Sequence, residues 1–185
     1  MLRRFIPAML LSIFASAAQA GLMDDLNKAK EGDLGAKVAD QAREKAKAKG
    51  NEKIAVQVNK KLLSEARKNQ CSFKSGSDEL EKGCGNKSKK LATIIIDVKK
   101  SLQSQGQTGF KFIVSGHTDS SGDAAKNKEL SARRAQVMVK ELVSQGVNAE
   151  DIQAVGKGSE QLLVKLDDTP AKKAKNRRYE VQVQF

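Results

Sequence analysis

Two ionisable side chains in the middle of this 185-residue chain, Asp119 and Arg134, are of the types needed to bind a zwitterion. Apolar and β-branched residues occupy positions 110 and 112–114, and the run stops at Gly116 before a cluster of Thr, Asp, Ser and Gly. This pattern predicts a strand that ends in a turn and is followed by a helix. Open α/β sheets bind ligands beyond the carboxyl ends of their strands, so a carboxylate and a guanidinium placed there could clamp a ligand that carries both charges.

The helix that carries Arg134 has one apolar face, and this face decides which of two adjacent arginines reaches the crevice. At about 100° per residue, Arg133 lies roughly opposite the apolar face, whereas Arg134 lies about 80° from its centre. We therefore expect Arg133 to be in water and Arg134 to be at the edge of the crevice. The face consists of residues at helical spacing: Ala124, Ser131, Ala135, Met138 and Leu142.

Short motifs in the second half of the chain fall in an order that a known domain family shares. The motifs are Gly116-His117-Thr118-Asp119, Asn127, Leu130-Ser131, Arg134-Ala135 and Asn176-Arg177-Arg178. Through them, residues 70–185 resemble the OmpA C-terminal domain, which is found in outer-membrane protein A, the peptidoglycan-associated lipoprotein and flagellar stator proteins. One loop departs from the family, with Lys74 and Gly76 where acidic or amide residues are common.

The resemblance implies a non-enzymatic module that binds peptidoglycan non-covalently by holding the diaminopimelate residue of the stem peptide. In the family, the aspartate of the turn takes the ammonium group of the diaminopimelate side chain and the helix arginine takes a carboxylate. These roles fall on Asp119 and Arg134, and Thr118, Asn127 and Arg177 are expected to complete the ligand site. No catalytic residue, metal ion or cofactor is expected.

Purely structural roles remain open for several of these side chains. Asp119 could serve only to form the turn, and Arg134 could bridge to Asp119 without any ligand. His117, the only histidine, fits a structural hydrogen-bonding role better than a catalytic one. Alternation along the last strand places Arg178 on its exposed side and Arg177 towards the crevice.

The formal charge of +12 leaves a second function open. A strongly basic envelope protein could bind anionic polymers through its surface charge alone, and such binding should collapse as ionic strength rises. A peptidoglycan hydrolase is a weaker alternative, because it needs paired carboxylates, a metal site or an activated nucleophile, and the sequence presents no such set. Nucleic acid is not an expected partner, since one Tyr and no Trp provide no stacking platform.

Residues 1–20 predict an export signal. A positively charged start precedes an apolar stretch at residues 6–14, and Ala18-Gln19-Ala20 is a cleavage motif, so the mature chain should begin at Gly21. Two arginines leave with the signal, which lowers the formal charge from +12 to +10. We therefore expect an exported protein of the periplasm, associated with the cell wall and peripheral at the outer membrane.

Residues 21–69 predict a helical spacer, because they are rich in Ala, Lys, Glu and Gln and contain no proline. Glycines at positions 32, 35 and 50 should break this helix into pieces. The last piece has a narrow apolar stripe that could pack on the following domain or on a second copy, and other envelope proteins are candidate partners of the segment. The stripe consists of Ile54, Val58, Leu62, Leu63 and Ala66.

The two cysteines, Cys71 and Cys84, both belong to the exported part of the chain. Pairing is the default in an oxidising compartment, and it would close a loop around residues 72–83. A metal site is the alternative, but His117 is too distant in sequence to give a typical ligand spacing. We predict a disulfide.

The pattern of residues 70–185 predicts an α+β domain of order β-α-β-α-β-β, with helices packed on one face of a mixed sheet. Residues 179–185 alternate apolar and polar side chains, which predicts a half-buried last strand with Phe185 in the core. The other predicted strands are at 71–73, 110–115 and 152–155, and the predicted helices are at 91–102 and 124–145.

Overall fold

Residues 33–74 and 76–185 are described by a computed structural model of the protein, with side chains from residue 37 onwards. The predicted export signal and the break at Gly32 lie outside these residues. Contacts divide the chain into two units that meet between Lys49 and Gly50. The domain boundary predicted at residue 70 stays a prediction.

The first helix, α1 (Asp33–Lys68), runs for 36 residues without interruption. The breaks predicted at Gly35 and Gly50 are wrong, because one glycine costs a helix only about 1 kcal/mol and the surrounding Ala, Lys and Glu residues favour helix. The predicted stripe in its last part packs into the hydrophobic core through Ile54, Val58, Leu62 and Ala66.

Helices α2 (Cys84–Ser104) and α3 (Ala124–Ser144) carry the apolar faces that the sequence predicts. Asp123 caps α3 by accepting a backbone hydrogen bond from its first turn, and Gly146 follows the end of the helix with a φ of 101°. Ala124 is exposed, because the helix begins there. The buried residues of α2 include Leu91, Ile95, Val98 and Leu102, and those of α3 are Ser131, Arg134, Ala135, Met138, Val139 and Leu142.

Three strands form a mixed sheet in the order β2-β1-β3. They are β1 (Lys111–His117), β2 (Ile152–Gly158) and β3 (Tyr179–Gln184). β2 runs parallel to β1, and β3 runs antiparallel to it, so that Phe112 pairs with Val183. Both of these side chains join the helices in one core. The predicted α+β fold with a mixed sheet is confirmed.

The strand predicted at residues 71–73 is wrong. Within this stretch Phe73 makes only an isolated bridge, to Leu80, and the described sheet has three strands. The outer edge of β3 does not need a further strand, because the amide side chains of Asn59 and Gln70 already lie along it.

These two amides pair with the backbone of β3 as a neighbouring strand would. The Asn59 side chain accepts a hydrogen bond from the N–H of Val183 at 2.6 Å and donates one to its carbonyl at 3.1 Å. The Gln70 side chain does the same with Tyr179, at 3.2 Å and 2.7 Å. Four backbone groups on the outer edge of the strand are thereby satisfied without a further strand, which leaves less of the edge open to aggregation.

A short helix, α4 (Pro170–Asn176), occupies part of the segment between β2 and β3. Thr169 caps it, and proline stands at its first position, a common arrangement at the start of a helix. Phe185 is 39% exposed and touches the ring of Phe110 edge-on, so its predicted place in the core is wrong. Within the described part of the chain, every helix is too short or too polar to span a bilayer.

Helix α3 approaches the sheet at two glycines. Gly116 on β1 pairs with Gly156 on β2, and a methyl group at Gly116 would collide with the backbone of Ser131. A methyl group at Gly156 would lie 2.6 Å from the backbone nitrogen of Ala132. The hydroxyl of Ser131 then accepts a hydrogen bond from the N–H of Gly158 at 2.8 Å. This contact fixes the distance between α3 and the end of β1.

The predicted disulfide between Cys71 and Cys84 is present, with the two Cα atoms 5.1 Å apart. Both residues are nearly fully buried. The bond joins the end of the segment that follows α1 to the first residue of α2 and closes the loop of residues 72–83.

We predict that Asn59→Ala lowers the free energy of unfolding by about 2 kcal/mol, because it leaves the edge N–H and carbonyl of Val183 without partners. The control is Gln57→Ala, which removes an exposed amide from the same helix and should change stability by less than about 0.5 kcal/mol. Urea denaturation measures both. Equal losses for the two variants would show that the edge pairing contributes nothing.

We also predict that the double variant Cys71→Ser/Cys84→Ser unfolds with a free energy about 3 kcal/mol lower than that of the native protein. The reason is the greater conformational freedom of the unfolded chain once the loop is open. Thiol labelling of the unreduced, denatured native protein should find no free thiol. Two reactive thiols would refute the pairing.

Candidate functional site

A cavity of about 890 Å³ opens at the end of β1, beside the first turns of α3. Thr118 and the turn that follows β1 form one wall of the cavity, and Arg134 on α3 forms another. Every side chain that the sequence predicts for the ligand site lines this cavity: Thr118, Asp119, Asn127, Arg134 and Arg177.

Arg134 is buried at this site, with only 7% of its surface exposed, whereas Arg133 is exposed as its helical phase predicts. Its Nε donates a hydrogen bond to the carbonyl of Ser77 at 2.8 Å, and Nη2 donates a longer one to the carbonyl of Lys74 at 3.4 Å. The guanidinium also lies 5.1 Å from the centre of the Phe73 ring.

No carboxylate of the described residues lies within 4.0 Å of the Arg134 guanidinium. Burial, and then the nearby positive charge of Arg177, lowers the pKa of Arg134 from its ordinary value. A guanidinium remains protonated at any physiological pH, so the side chain is a buried cation that Asp119 and Asp78 favour from a distance but that no carboxylate of the described residues contacts.

The loop that departs from the family pattern holds Arg134 through its backbone. The two acceptors are main-chain carbonyls, so the loss of acidic or amide side chains at Lys74 and Gly76 does not remove the contact. The turn is closed by a hydrogen bond from the N–H of Ser77 to the carbonyl of Lys74 at 3.1 Å. Gly76 takes a φ of 67° within it, a conformation that favours glycine.

Asp119 pairs with Arg177, not with Arg134. Nη1 of Arg177 donates to Oδ2 of Asp119 at 2.8 Å, and the N–H of Ser121 donates to Oδ1 at 3.1 Å. Burial alone would raise the pKa of Asp119, but these hydrogen bonds outweigh it and hold the pKa below its usual value. The carboxylate is therefore charged, and the bridge between Arg134 and Asp119 that the sequence left open does not form.

Arg178 is not on an exposed side of the last strand, and that prediction is wrong. Its side chain is 7% exposed and donates to Glu180 at 2.8 Å and to the carbonyl of Gln161 at 3.1 Å. The reason is that Glu180 lies two residues further along the strand, on the same face, and draws the guanidinium onto the sheet. Arg177 lies towards the crevice as predicted, where it contacts Asp119, and its side chain is 45% exposed.

Two buried polar side chains beside the cavity have no hydrogen-bond partner among the described residues. They are Thr118, through its hydroxyl, and His117, through both ring nitrogens. Oε2 of Glu180 lies 3.8 Å from Nε2 of His117, which is too far for a hydrogen bond. The hydrogen-bonding role predicted for His117 is therefore wrong, and the Thr118 hydroxyl remains available to a ligand.

Asn127 and Asp167 hold the turn in place. Nδ2 of Asn127 donates to the carbonyl of Ser121 at 2.8 Å. Asp167 accepts hydrogen bonds from the hydroxyl and N–H of Ser120 and from Nδ2 of Asn176, and these lower its pKa to about 2. Sequence reasoning missed Asp167, because its partners are 47 and 9 residues away and no local pattern marks them.

The family profile described as the OmpA family matches residues 72–177. The chain belongs to the OmpA family. It is 40% identical over 70 residues to the peptidoglycan-binding protein ArfA of Mycobacterium tuberculosis, and 46% identical over 71 residues to outer membrane porin F of Pseudomonas fluorescens. Each match covers 38% of this chain, and the chain spans 21% and 22% of the length of these relatives.

Solved structures share the fold. The peptidoglycan-associated lipoprotein of Burkholderia pseudomallei superimposes with a TM-score of 0.50 at 23% identity, covering 62% of this chain and 89% of that one. The C-terminal domain of Helicobacter pylori MotB gives a TM-score of 0.52 at 22% identity, covering 63% and 84%. At these identities the likeness establishes the architecture alone.

The chemistry that the cavity offers is recognition of charge. It presents a buried cation from α3, together with a carboxylate and a hydroxyl without a partner among the described residues, both from the turn after β1. Within residues 33–74 and 76–185, no group of three or more His, Cys, Asp or Glu side chains is placed to hold a metal ion.

We predict that His117 makes the protein less stable in mild acid. Burial, and then Arg178, lowers its pKa from 6.5 to about 4, against an opposing effect of Glu180 and with a further lowering by Lys157. Between these pH values the unfolded chain binds the proton and the folded chain does not. The free energy of unfolding therefore falls as pH drops from 6.5 to 4, by about 3 kcal/mol at most.

Replacement by a ring that cannot titrate tests this effect. His117→Phe should show a shallower loss of stability over the same pH range, measured by chemical denaturation at several pH values. At neutral pH the variant should be nearly as stable as the native protein, since no hydrogen bond to the ring is lost. An unchanged pH profile would contradict the assignment.

Proposed function

We propose that this protein binds peptidoglycan non-covalently by holding the amino-acid end of the diaminopimelate side chain in the cavity beside α3. The observation that carries the proposal is Arg134, which has only 7% of its surface exposed, lines the cavity and has no carboxylate within 4.0 Å among the described residues. An unpaired buried charge destabilises a protein, so the site is completed by a ligand that brings an anion.

The carboxylate of the diaminopimelate end fits this requirement. A guanidinium binds a carboxylate through charge-assisted hydrogen bonds, and those of Arg134 that are not used by Ser77 and Lys74 are available to it. The ring of Phe73 on one face and the side chain of Leu130 in the cavity wall limit the access of water. Both effects strengthen an ion pair in this position.

The ammonium group of the same ligand end is assigned to Asp119. An ionised carboxylate has about four acceptor positions, and Arg177 and Ser121 use two of them. The depressed pKa keeps the carboxylate charged through the neutral range. The unpaired hydroxyl of Thr118 adds a further hydrogen bond to the ligand, while Asn127 keeps the turn in shape.

The similar proteins also support peptidoglycan binding. ArfA is named as a peptidoglycan-binding protein, and the region of similarity to this chain is 40% identical. Together with the predicted export signal, this supports a protein of the bacterial envelope that is attached to the cell wall from the periplasmic side.

We predict that Asp119→Ala and Arg134→Ala each remove most binding to purified sacculi. Each variant leaves one charge of the clamp without its partner, at a cost of about 2–5 kcal/mol in binding when the pair is well buried. Co-sedimentation with sacculi measures the loss, and competition by free diaminopimelate should displace the native protein.

Arg133→Ala is the matched control, because it removes the same charge from the exposed neighbour on the same helix. It should bind almost as the native protein does, and circular dichroism should show all three variants folded. If the native protein is released by about 0.5 M salt and Arg133→Ala is as damaging as Arg134→Ala, binding is driven by surface charge and the proposed site is wrong.

A further inference from the structure

The loop that the disulfide closes supplies the contacts that hold Arg134. Residues 72–83, named here the cystine loop, lie between Cys71 and Cys84. Two of its carbonyls accept hydrogen bonds from the Arg134 guanidinium, and its Phe73 ring packs against the same group. Nothing in the family resemblance assigns a role in ligand binding to the cysteines.

The disulfide is the covalent link that closes the cystine loop, and the loop's other contacts are individually weaker. None of its described residues is fully buried, and Phe73 and Leu80 pack against the core while staying partly exposed, so the gain from the hydrophobic effect is limited. Its own hydrogen bonds are short-range, such as that from the N–H of Lys74 to the carbonyl of Glu79 at 2.9 Å and that from Glu81 to Ser72 at 3.0 Å. The ion pair between Lys74 and Glu79 is exposed and therefore weak.

We propose that Cys71 and Cys84 are positioning residues of the ligand site, and that their bond sets the orientation in which Arg134 meets a carboxylate. The inference rests on the proposed function. With the bond closed, the loop presents its carbonyls at fixed places and the guanidinium is held before the ligand arrives. With the bond open, the loop gains conformational freedom, and ordering it again on binding lowers the affinity.

Ligand binding should therefore depend on the oxidation state of the pair. A dithiol such as dithiothreitol supplies two electrons and two protons, which convert the sulfur–sulfur bond of Cys71 and Cys84 into two thiols. The dithiol itself closes to a cyclic disulfide. This reaction opens the cystine loop without any change of sequence.

Two peptides separate the role of Arg134 from that of the rest of the site. The tripeptide L-Ala-γ-D-Glu-meso-diaminopimelate carries both an ammonium and a carboxylate at its side-chain end, whereas the same peptide with L-lysine carries only the ammonium. Calorimetry should show that the native, oxidised protein prefers the first by about 30-fold or more, because Arg134 recognises the additional carboxylate.

Opening the cystine loop should remove this preference. In the double variant Cys71→Ser/Cys84→Ser, and in the native protein after reduction, the preference should fall to about threefold or less, mainly through weaker binding of the diaminopimelate peptide. A purely structural role would weaken both peptides by the same factor, because loss of folded protein acts on both. Thermal unfolding must show each sample folded at the assay temperature.

A pair of glycine variants repeats the test with the disulfide intact. Gly76 has a φ of 67° inside the cystine loop, and Gly109 has a φ of 74° at the opposite end of β1 from the site. Valine is strongly disfavoured in either conformation, so both substitutions strain the backbone to a similar extent. Gly76→Val should reduce the preference for the diaminopimelate peptide, and Gly109→Val should leave it unchanged.

Preservation of the full preference in the reduced protein and in Gly76→Val would overturn the inference. It would leave the proposed function intact, since the native protein would still discriminate between the peptides. Failure of the native protein to bind either peptide would instead overturn the proposed function. Equal loss for Gly76→Val and Gly109→Val would assign the effect to general stability and would also contradict the inference.

Discussion

The close approach of α3 to the sheet is the constraint on which the site depends. At Gly116 and Gly156 the helix backbone rests on strand backbone with no side chain between them, and Ser131 bonds directly to the N–H of Gly158. One turn further along the helix is Arg134, so its height above the end of β1 follows from this contact. Any larger residue at the two glycines would push α3 away and move the guanidinium relative to the turn that carries Asp119.

The charges of the site are arranged at some cost to the folded state. Arg134 loses most of its hydration and gains only carbonyl hydrogen bonds and an aromatic contact in return. The carboxylate of Asp119, by contrast, is paired with Arg177 in the ligand-free protein. Such an imbalance is typical of binding sites, where a group that destabilises the free protein gains its partner from the ligand. The core formed by α2, α3 and one face of the sheet provides the stability that tolerates it.

Sequence patterns predicted the elements with strong periodicity, α2, α3, β1 and β3, and the exposure of Arg133. They failed where a contact joins distant segments. The pairing of Asp119 with Arg177 spans 58 residues, and the edge of β3 is covered by an amide 124 residues away. Thr169 followed by Pro170 is a common start of a helix and marks the beginning of α4 in the sequence. The lysine-rich residues that follow have no apolar face, so no hydrophobic periodicity predicts the helix itself.

The amides along the edge of β3 also determine how the domain would carry a mechanical load. Asn59 contacts residue 183 and Gln70 contacts residue 179, so the end of α1 and the segment after it run antiparallel to the strand. The contacts are separated by roughly 16 Å along the chain of the helix and about 13 Å along the strand. A force along the helix axis therefore loads the hydrogen bonds of Asn59 and of Gln70 at the same time, in shear, instead of breaking them one after the other. Tension applied along this part of α1 would therefore be shared by the two amide pairs.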